Sequence, residues 1–345
     1  MFAYIVRRLL ILPIVVFVSI SIMFSLFSML PPAVKVFAYV GENPKALQGN
    51  AIDQLIKIHH LDASFLAQFS DWLTQVIHGN LGWSTSQNMP VVQALTGFIP
   101  ATLELVLYSI LPILVGGIVL GVLSAVKQNH LVDQITRTMS ILAYSVPVFV
   151  VGLVLLLVFY GGLGLFGTGR LGNASILIVQ NSALWQNHTG LYTIDALLNG
   201  RLDVFWDALM HLVLPVITLS FINWALLVRI SRSSMLNTLH EDYVTTARAK
   251  GLQEGIIIRR HALRNASIPI ITISTLLIGQ LLSGVVITET VFQLHGIGYF
   301  LEQAALHLDI AGVLGFVIFS ALLWVITNLA ADLLYAYADP RVRMD

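Results

Sequence analysis

The sequence predicts an all-α integral membrane protein with six transmembrane helices and both termini on the cytoplasmic side. Two observations lead to this prediction. Of the 345 residues, 57% are hydrophobic and only 10% are charged, whereas a soluble domain carries about 25% charged residues. The chain also contains six apolar stretches that each reach the roughly 20 residues a helix needs to cross a bilayer. A chain of this composition has lipid as its main solvent.

The six predicted spans contain no Asp, Glu, Lys or Arg. A charged side chain at the centre of a bilayer costs on the order of 3 kcal/mol, so this absence supports every span. Their bounds are roughly 9–30, 105–126, 138–160, 209–228, 267–288 and 310–331. A seventh apolar piece, Ala174–Trp185, is too short to span, and we interpret it as a surface or re-entrant helix. We expect residues 1–345 to form a single transmembrane domain.

The distribution of positive charge predicts the orientation of these spans. With both termini in the cytoplasm, thirteen of the 18 Lys and Arg residues fall in cytoplasmic segments and five in outer segments. This is the asymmetry that the positive-inside rule requires. The large outer loops are then 31–102 and 161–208, and residues 229–266 form a cytoplasmic loop. In the first outer loop, apolar residues recur at helical spacing between Ile52 and Val76, which predicts amphipathic helices.

The cytoplasmic loop 229–266 carries an unusual concentration of charge and contains most of the segment EDYVTTARAKGLQEGIIIRRHALRNASIP, residues 241–269. Leu239–Lys250 favours a short helix, and Leu252–Leu263 a second amphipathic one. Gly251 between them permits a positive-φ turn or a close backbone approach. A basic segment lying on anionic headgroups would explain the arginines. It does not explain a helix–glycine–helix module where a short loop would suffice, so we expect a docking element for a soluble partner.

The sequence gives no indication of a catalytic or metal site. It lacks the Gly-Lys-Ser/Thr loop that cradles ATP phosphates. The stretch HEDYV at residues 240–244 has Val244 where a zinc-protease helix needs its second histidine. The absence of cysteine excludes disulfides and thiolate ligands. Because the net charge is zero, we also expect no nucleic-acid partner.

The segments ARAKGL and RHALRN resemble the EAA loop of ABC-transporter permeases, in the form found in dipeptide/oligopeptide importers. Ala247, Gly251 and Leu263 obey the general EAA pattern, and the departures from it resemble the peptide-importer variant. The resemblance covers nearly the whole chain. Its other matching segments are RRLL at Arg7, GNLGWS at Gly79, IPATLELVL at Ile99, YSVPVFVVGL at Tyr144, HLVLPVITLS at His211, TETVFQLHGIG at Thr288 and DLLYAYADPRVR at Asp332.

The resemblance implies the fold of a type I ABC importer permease in the cell (cytoplasmic) membrane, with a coupling helix between spans four and five. The implied partners are a second homologous permease, two ATPase subunits that bind ATP and Mg, and an extracytoplasmic solute-binding protein. This chain would bind no cofactor itself. The residues expected at the ATPase contact are Glu241, Asp242, Tyr243, Arg248, Ala249, Lys250, Gly251 and Leu252.

The transported solute is open at this stage. Peptides are the first expectation from the resemblance, with oligosaccharides, nickel and glutathione as alternatives that nothing in the spans distinguishes. An ion-coupled secondary transporter is the alternative from another mechanistic class. Such a protein needs intramembrane carboxylates or histidines as ion sites, and Glu104, Glu289 and His211 do not lie at a convincing midplane position.

Polar residues in the spans are the candidates for a translocation path. Side chains of this kind either join neighbouring helices or line a pore, and the four candidates are Asn223, Ser274, Gln280 and Ser283. Glu104 and Glu289 are candidates for an outer gate. We expect Glu104 in the first turn of the second span and Glu289 at the outer end of the fifth, where charge–dipole stabilisation at a helix N-terminus would be a sufficient explanation.

Two further features bear on how the helices pack. Pro147 predicts a kink in the third span, because proline removes a backbone hydrogen bond and clashes with the preceding turn. The small-residue pairs Gly117-x-x-x-Gly121 and Gly279-x-x-x-Ser283 permit a close helix approach. We expect these pairs to pack against a partner subunit.

Overall fold

The computed structural model describes residues 2–36 and 51–338, and most of them are helical. Residues 37–50 of the predicted outer loop, with Lys45, and the C-terminal Arg341 and Arg343 of the charge count lie outside the described residues. The two strands in the described part, β1 (Trp83–Ser84) and β2 (Met89–Pro90), pair antiparallel. The helices are α1 (Phe2–Ser28), α2 (Pro32–Lys35), α3 (Ala51–Ile58), α4 (Phe65–Ile77), α5 (Val91–Val126), α6 (Leu131–Ser145), α7 (Val148–Leu155), α8 (Asn173–Val179), α9 (Tyr192–Leu198), α10 (Leu202–Leu239), α11 (Asp242–Ala249), α12 (Glu254–Ile256), α13 (Leu263–Leu282), α14 (Val286–Phe292), α15 (Ile297–Leu306) and α16 (Ile310–Ala338).

Four helical segments in the described residues are long and apolar enough to cross a membrane: Val91–Val126, Leu202–Leu239, Glu254–Leu282 and Ile310–Ala330. A bent pair formed by α6 and the helix that follows it would be a fifth. Within α1, Pro13–Ser28 is a shorter apolar helix. The structure therefore confirms a helical protein with four to five candidate spans, and the count of six stays a prediction.

Two helices are much longer than the predicted spans inside them. Helix α5 has 36 residues and α10 has 38, which at 1.5 Å per residue correspond to roughly 54 and 57 Å, against about 30 Å for the hydrocarbon core. Helix α5 begins 14 residues before the predicted start of the second span at residue 105. These helices therefore continue beyond the bilayer into the segments predicted as loops.

The third predicted span, residues 138–160, is two helices rather than one. Helix α6 ends at Ser145, and α7 with a following π-helix, Leu156–Gly162, runs at 101° to it. The break lies at Val146, whose ψ of 127° is extended, and at Pro147, which precedes the first turn of α7. Proline excludes the helical region for the residue before it. The kink predicted at Pro147 is confirmed, and its size divides the predicted span into two helices.

The fifth predicted span, residues 267–288, also differs from the structure. Its helix begins earlier, because α12, a π-helix at Ile257–Ala262 and α13 form one segment, Glu254–Leu282. The helix then ends six residues before the predicted bound. Gly284 follows with a φ of +100°, and a Cβ there would lie 3.0 Å from the backbone nitrogen of Gly298. Glycine is therefore required by both conformation and space.

The chain divides into two compact units. The first comprises the described residues of Met1–Thr102, Ser283–Thr290 and Leu294–Ile326. One core of this unit joins α1, α4 and α16 through seven buried side chains: Ile20, Phe24, Phe27, Phe69, Trp72, Leu314 and Ile318. The helices α3 and α4 confirm the amphipathic pattern expected between Ile52 and Val76.

The second unit comprises the described residues of Leu103–Leu282, Val291–Gln293 and Thr327–Asp345. Within it, α5 and α10 pack closely at glycines. A Cβ on Gly117 would lie 2.6 Å from Leu227, and one on Gly121 would lie 2.5 Å from Ser231. The pair Gly117 and Gly121 thus packs inside this chain, and the prediction that it faces a partner subunit is wrong.

The apolar piece Ala174–Trp185 does not form one helix. Only its first part is helical, in α8, and Trp185 is buried in a small core with Leu171, Ala196 and Val204. Seven residues of helix span about 10 Å. The expectation that this piece is too short to cross the membrane is confirmed, and its helix forms part of a folded segment between α7 and α10.

Candidate functional site

The candidate site is the segment between α10 and α13, where α11 forms a short helix closed by a glycine. Glu241 has extended backbone angles and precedes the first turn of α11, and Gly251 has a φ of +76°. The Gly251 N–H donates to the carbonyl of Arg248 at 2.9 Å, and the Leu252 N–H donates to the carbonyl of Ala247 at 3.3 Å. This pair of bonds is the Schellman motif, in which a left-handed residue terminates a helix.

Gly251 is needed for its conformation and not for space. A Cβ at this position would meet no atom within 4 Å. The sequence had left a positive-φ turn and a close backbone approach as alternatives, and the structure selects the turn. An L-residue forced into the left-handed region is disfavoured by roughly 1–2 kcal/mol. The chain direction after α11 therefore depends on this glycine.

One face of α11 is fixed to the protein. Val244 and Ala247 are buried, and they pack against Ile257 at the start of the following helix. Their spacing of three residues places both on the same side of α11. Because these side chains are buried, α11 cannot rotate freely about its axis. It forms one packed element with the base of the segment Glu254–Leu282.

The opposite face of α11 is open. All eight residues predicted for the ATPase contact are exposed. They include the large apolar side chains Tyr243 and Leu252, which are 38% and 40% exposed. Asp242 lies in the first turn and Arg248 in the last turn of the helix, an order that complements the helix dipole. The surface thus combines apolar anchors with charges of both signs.

Two polar contacts hold the ends of this segment. Arg248 Nη2 lies 2.8 Å from Glu254 Oε1, and this hydrogen bond raises the pKa of Arg248. Both side chains are largely exposed, and exposed pairs contribute at most about 1 kcal/mol. Asn265 Nδ2 donates to the Tyr243 hydroxyl at 2.7 Å. The second contact joins α11 directly to α13.

The second amphipathic stretch predicted at Leu252–Leu263 is not an independent helix. It is the first part of Glu254–Leu282, a 29-residue helical segment that is itself a candidate span. Ala262 and Ala266 pack with Met235 of α10 and Ala125 of α5. The base of this candidate span is therefore packed against its neighbours α5 and α10.

A buried ion pair close to this end of α10 was missed by sequence reasoning. Asp133 is fully buried and accepts hydrogen bonds from Arg232 Nε at 2.7 Å and Arg232 Nη2 at 2.8 Å. Ser124 Oγ and the Asn129 N–H donate to the same carboxylate at 2.6 and 3.0 Å. This carboxylate joins the end of α5, the start of α6 and α10. The two charged residues are 99 positions apart, and no local sequence pattern predicts their contact.

Glu104 does not lie at a helix N-terminus. It is the fourteenth residue of α5, so the charge–dipole explanation and the predicted first-turn position are wrong. Its carboxylate is 2% exposed and accepts from Arg170 Nη2 at 2.7 Å and from the Thr193 N–H and Oγ1 at 2.7 and 2.8 Å. The Arg170 guanidinium also lies 4.0 Å from the centre of the Tyr192 ring. Glu104 thus anchors the segment between α7 and α10 to α5.

Glu289 lies in the first turn of α14 and is fully buried. It accepts hydrogen bonds from Thr102 Oγ1 at 2.7 Å and from the Tyr299 N–H at 2.9 Å, while Thr102 accepts from the Ile297 N–H. A Cβ on Gly296 would lie 2.5 Å from the carboxyl carbon of Glu289. The carboxylate therefore organises the turn between α14 and α15 in addition to lying at a helix N-terminus.

The four residues predicted for a translocation path occupy different environments. Asn223 donates to the carbonyl of Leu219 in its own helix at 2.8 Å. Ser274 is buried, Gln280 is exposed, and Ser283 lies half-buried after the end of α13. An exposed amide in a candidate span requires a protein or water neighbour, because lipid offers it no hydrogen bond. The lining of a path by these residues stays a prediction.

The described residues thus form a helical chain with four to five candidate spans, with a short helix held by a glycine turn at the base of one of them. Comparison with known proteins assigns the chain to a family. Residues 117–344 match the family described as "Binding-protein-dependent transport system inner membrane component". The chain belongs to this family and is a multi-pass inner-membrane transport component.

Curated relatives cover most of the chain. The probable D,D-dipeptide transport system permease protein of Escherichia coli (strain K12) is 42% identical over 82% of this chain and 81% of its own length. The di/tripeptide transport system permease protein of Pseudomonas aeruginosa (strain UCBPP-PA14) is 39% identical over 82% of each chain. The dipeptide transport system permease protein of E. coli (strain K12) is 35% identical over 99% of each chain.

Proposed function

We propose that this chain is a permease subunit of an ATP-driven importer of short peptides. The names of the relatives, which are dipeptide, D,D-dipeptide and di/tripeptide permeases, support this substrate class. The observation that carries the mechanism is α11, which is packed to the base of a candidate span on one face and open on the other. That arrangement suits a contact through which a separate subunit moves the membrane helices.

The membrane arrangement belongs to the same proposal. Six spans with both termini in the cytoplasm would place α11 on the cytoplasmic side, where soluble ATPase subunits have access to it. The excess of Lys and Arg in the cytoplasmic segments supports this orientation. The folded segment between α7 and α10 then faces outward, where an extracytoplasmic solute-binding protein would dock.

The proposed mechanism assigns ATP hydrolysis to partners. Two ATPase subunits would bind ATP and Mg, and each would hold one α11-type helix, from this chain and from a second homologous permease. Tyr243 and Leu252 provide exposed apolar area for that contact, and the charges around them would set its register and speed of encounter. Closure of the ATPases would displace α11. Through its contacts with Ile257 and Asn265, this movement would reach the segment Glu254–Leu282.

Within the membrane, Asn223, Ser274, Gln280 and Ser283 are proposed to line the path. Glu104 and Glu289 remain candidates for an outer gate, and their hydrogen bonds support an anchoring role. The same bonds argue against an ion-coupled secondary transporter, because both carboxylates already have fixed donors. His211 Nδ1 lies 2.8 Å from the carbonyl of Asp207, in keeping with a structural role.

Reconstitution tests the proposed function. The chain is co-purified with its partner subunits, placed in proteoliposomes and supplied with binding protein, and uptake of a labelled dipeptide is measured. We expect uptake that requires ATP and persists when the proton gradient is collapsed. Oligosaccharide, nickel and glutathione are added as competitors of the labelled dipeptide, because they are the alternative solutes. Uptake by this chain alone that follows a proton gradient without ATP would contradict the proposal.

A further inference from the structure

An arginine-lined cavity of about 340 Å³ lies between α6 and α10. Arg137 of α6 and Arg229 and Arg232 of α10 contribute to its wall, together with Ile141 and Tyr144. Arg232 lies seven residues before the end of α10, or roughly 10 Å along the helix. The cavity is therefore close to the end of α10 that leads into α11.

The charge of this cavity is only partly neutralised. Asp133 pairs with Arg232, and the Arg229 guanidinium lies 5.7 Å from the centre of the Tyr144 ring. Neither Arg137 nor Arg229 forms an ion pair with any described residue. The remaining carboxylates of α6 and α10 are Asp203 and Asp207, at the opposite end of α10. Arg137 and Arg229 are exposed, and the cavity thus carries two positive charges that no described carboxylate neutralises.

The surroundings of the cavity are apolar. A second cavity of about 170 Å³ adjoins it, shares Ser140, Ala225 and Val228 with it, and is lined mainly by apolar side chains. On α6, Ile141 and Tyr144 are 65% and 75% exposed. A surface of this kind, in a membrane protein, faces lipid or another membrane helix rather than water. The site therefore offers arginines for a head group and an adjacent apolar slot for a chain.

We propose that this site binds an anionic phospholipid, with its phosphate on Arg137 and Arg229 and the first part of an acyl chain in the adjoining apolar cavity. A phosphate group is the chemistry that arginine recognises through paired N–H donors. Basic pockets between transmembrane helices are suited to anionic lipid head groups. The bound lipid would join α6 to α10 beside the element that α11 moves.

Native mass spectrometry of the full-length chain, assembled with its partner permease and taken from phosphatidylglycerol-containing nanodiscs, tests this site. We expect one retained phosphatidylglycerol in preference to phosphatidylcholine. The variant Arg137→Gln/Arg229→Gln should lower its affinity roughly 30-fold, from about fivefold for each cation near a lipid surface. The variant Arg137→Lys/Arg229→Lys keeps the charge but not the paired donors, so it should bind more tightly than the Gln variant and less tightly than the wild-type chain. Its retained binding would also show that the fold tolerates substitution at both positions.

The matched control is Arg259→Gln/Arg260→Gln, which removes the same charge from two arginines that are exposed, as Arg137 and Arg229 are, and that would attract anionic head groups, but that do not line the cavity. Equal loss of lipid in this control would overturn the proposal, since binding would then follow general charge. Inorganic phosphate alone, or a dipeptide, retained by the complex to the same degree as phosphatidylglycerol would also overturn the proposal. So would an assembled complex that retains no lipid because the partner permease covers the cavity.

Discussion

Replacing Gly251 by alanine should weaken the closure of α11 without creating a clash. The φ of +76° disfavours an L-residue by roughly 1–2 kcal/mol, whereas a Cβ at this position meets no atom within 4 Å. The energetic cost therefore falls on the turn alone. The two amide protons that close the turn, on Gly251 and Leu252, are bonded to Arg248 and Ala247 and report its opening.

Hydrogen exchange of the segment around α11 measures this effect. A cost of about 1–2 kcal/mol corresponds to roughly 5- to 30-fold faster exchange of the closing amides in Gly251→Ala. Gly255→Ala is the matched control, because Gly255 is exposed, lies in α12 and has equal space for a Cβ. It should leave exchange unchanged or slow it, since alanine favours helix by about 0.5–1 kcal/mol. Equal exchange in Gly251→Ala and the wild-type chain would show that the left-handed conformation at residue 251 does not stabilise the turn.

Two further substitutions test the packing around this segment. Asp133→Asn removes the carboxylate that pairs with Arg232, whose side chain is 20% exposed. It should destabilise the chain by about 1.5–3 kcal/mol, the cost of lost hydrogen bonds to a charged group. An unchanged thermal unfolding midpoint in detergent would show that the pair is dispensable. Gly121→Ala places a Cβ 2.5 Å from Ser231 and should cost about 1–3 kcal/mol by overpacking. Gly97→Ala, where a Cβ meets no atom within 4 Å, should be neutral or stabilising in the same assay, and a loss equal to that of Gly121→Ala would exclude overpacking as the cause.

The features that sequence reasoning predicted well are local ones. The short helix at Asp242–Ala249 and the positive φ of Gly251 follow from residue preferences within a few positions. The break in the third span was visible as Pro147 for the same reason. The angle of 101° between the two helices could not be predicted, because tertiary packing sets the direction of α7 after the break.

The features that were missed depend on contacts between distant residues. Glu104 was assigned to a first turn because an apolar run marks only the membrane-buried part of a helix, and α5 starts 14 residues before residue 105. Its partners Arg170 and Thr193 lie 66 and 89 positions away. The pair of Asp133 with Arg232 is equally remote in sequence. Composition and periodicity contain no information about such pairings.

We propose α11 as a cytoplasmic contact for an ATPase subunit, and its position relative to the membrane can be measured directly. The chain has no cysteine, so a single cysteine introduced at an exposed position is unique. Ala249→Cys probes α11, and Asn187→Cys probes the segment between α7 and α10, which is proposed to face outward. Both side chains are exposed.

The decisive measurement combines labelling by a membrane-impermeant maleimide with crosslinking in the assembled complex. We expect Ala249→Cys to be labelled only after the membrane is opened and to crosslink to an ATPase subunit. Asn187→Cys should be labelled in intact cells and should form no such crosslink. Labelling of Ala249→Cys from outside, or the absence of any crosslink to an ATPase in an actively transporting complex, would contradict the proposal.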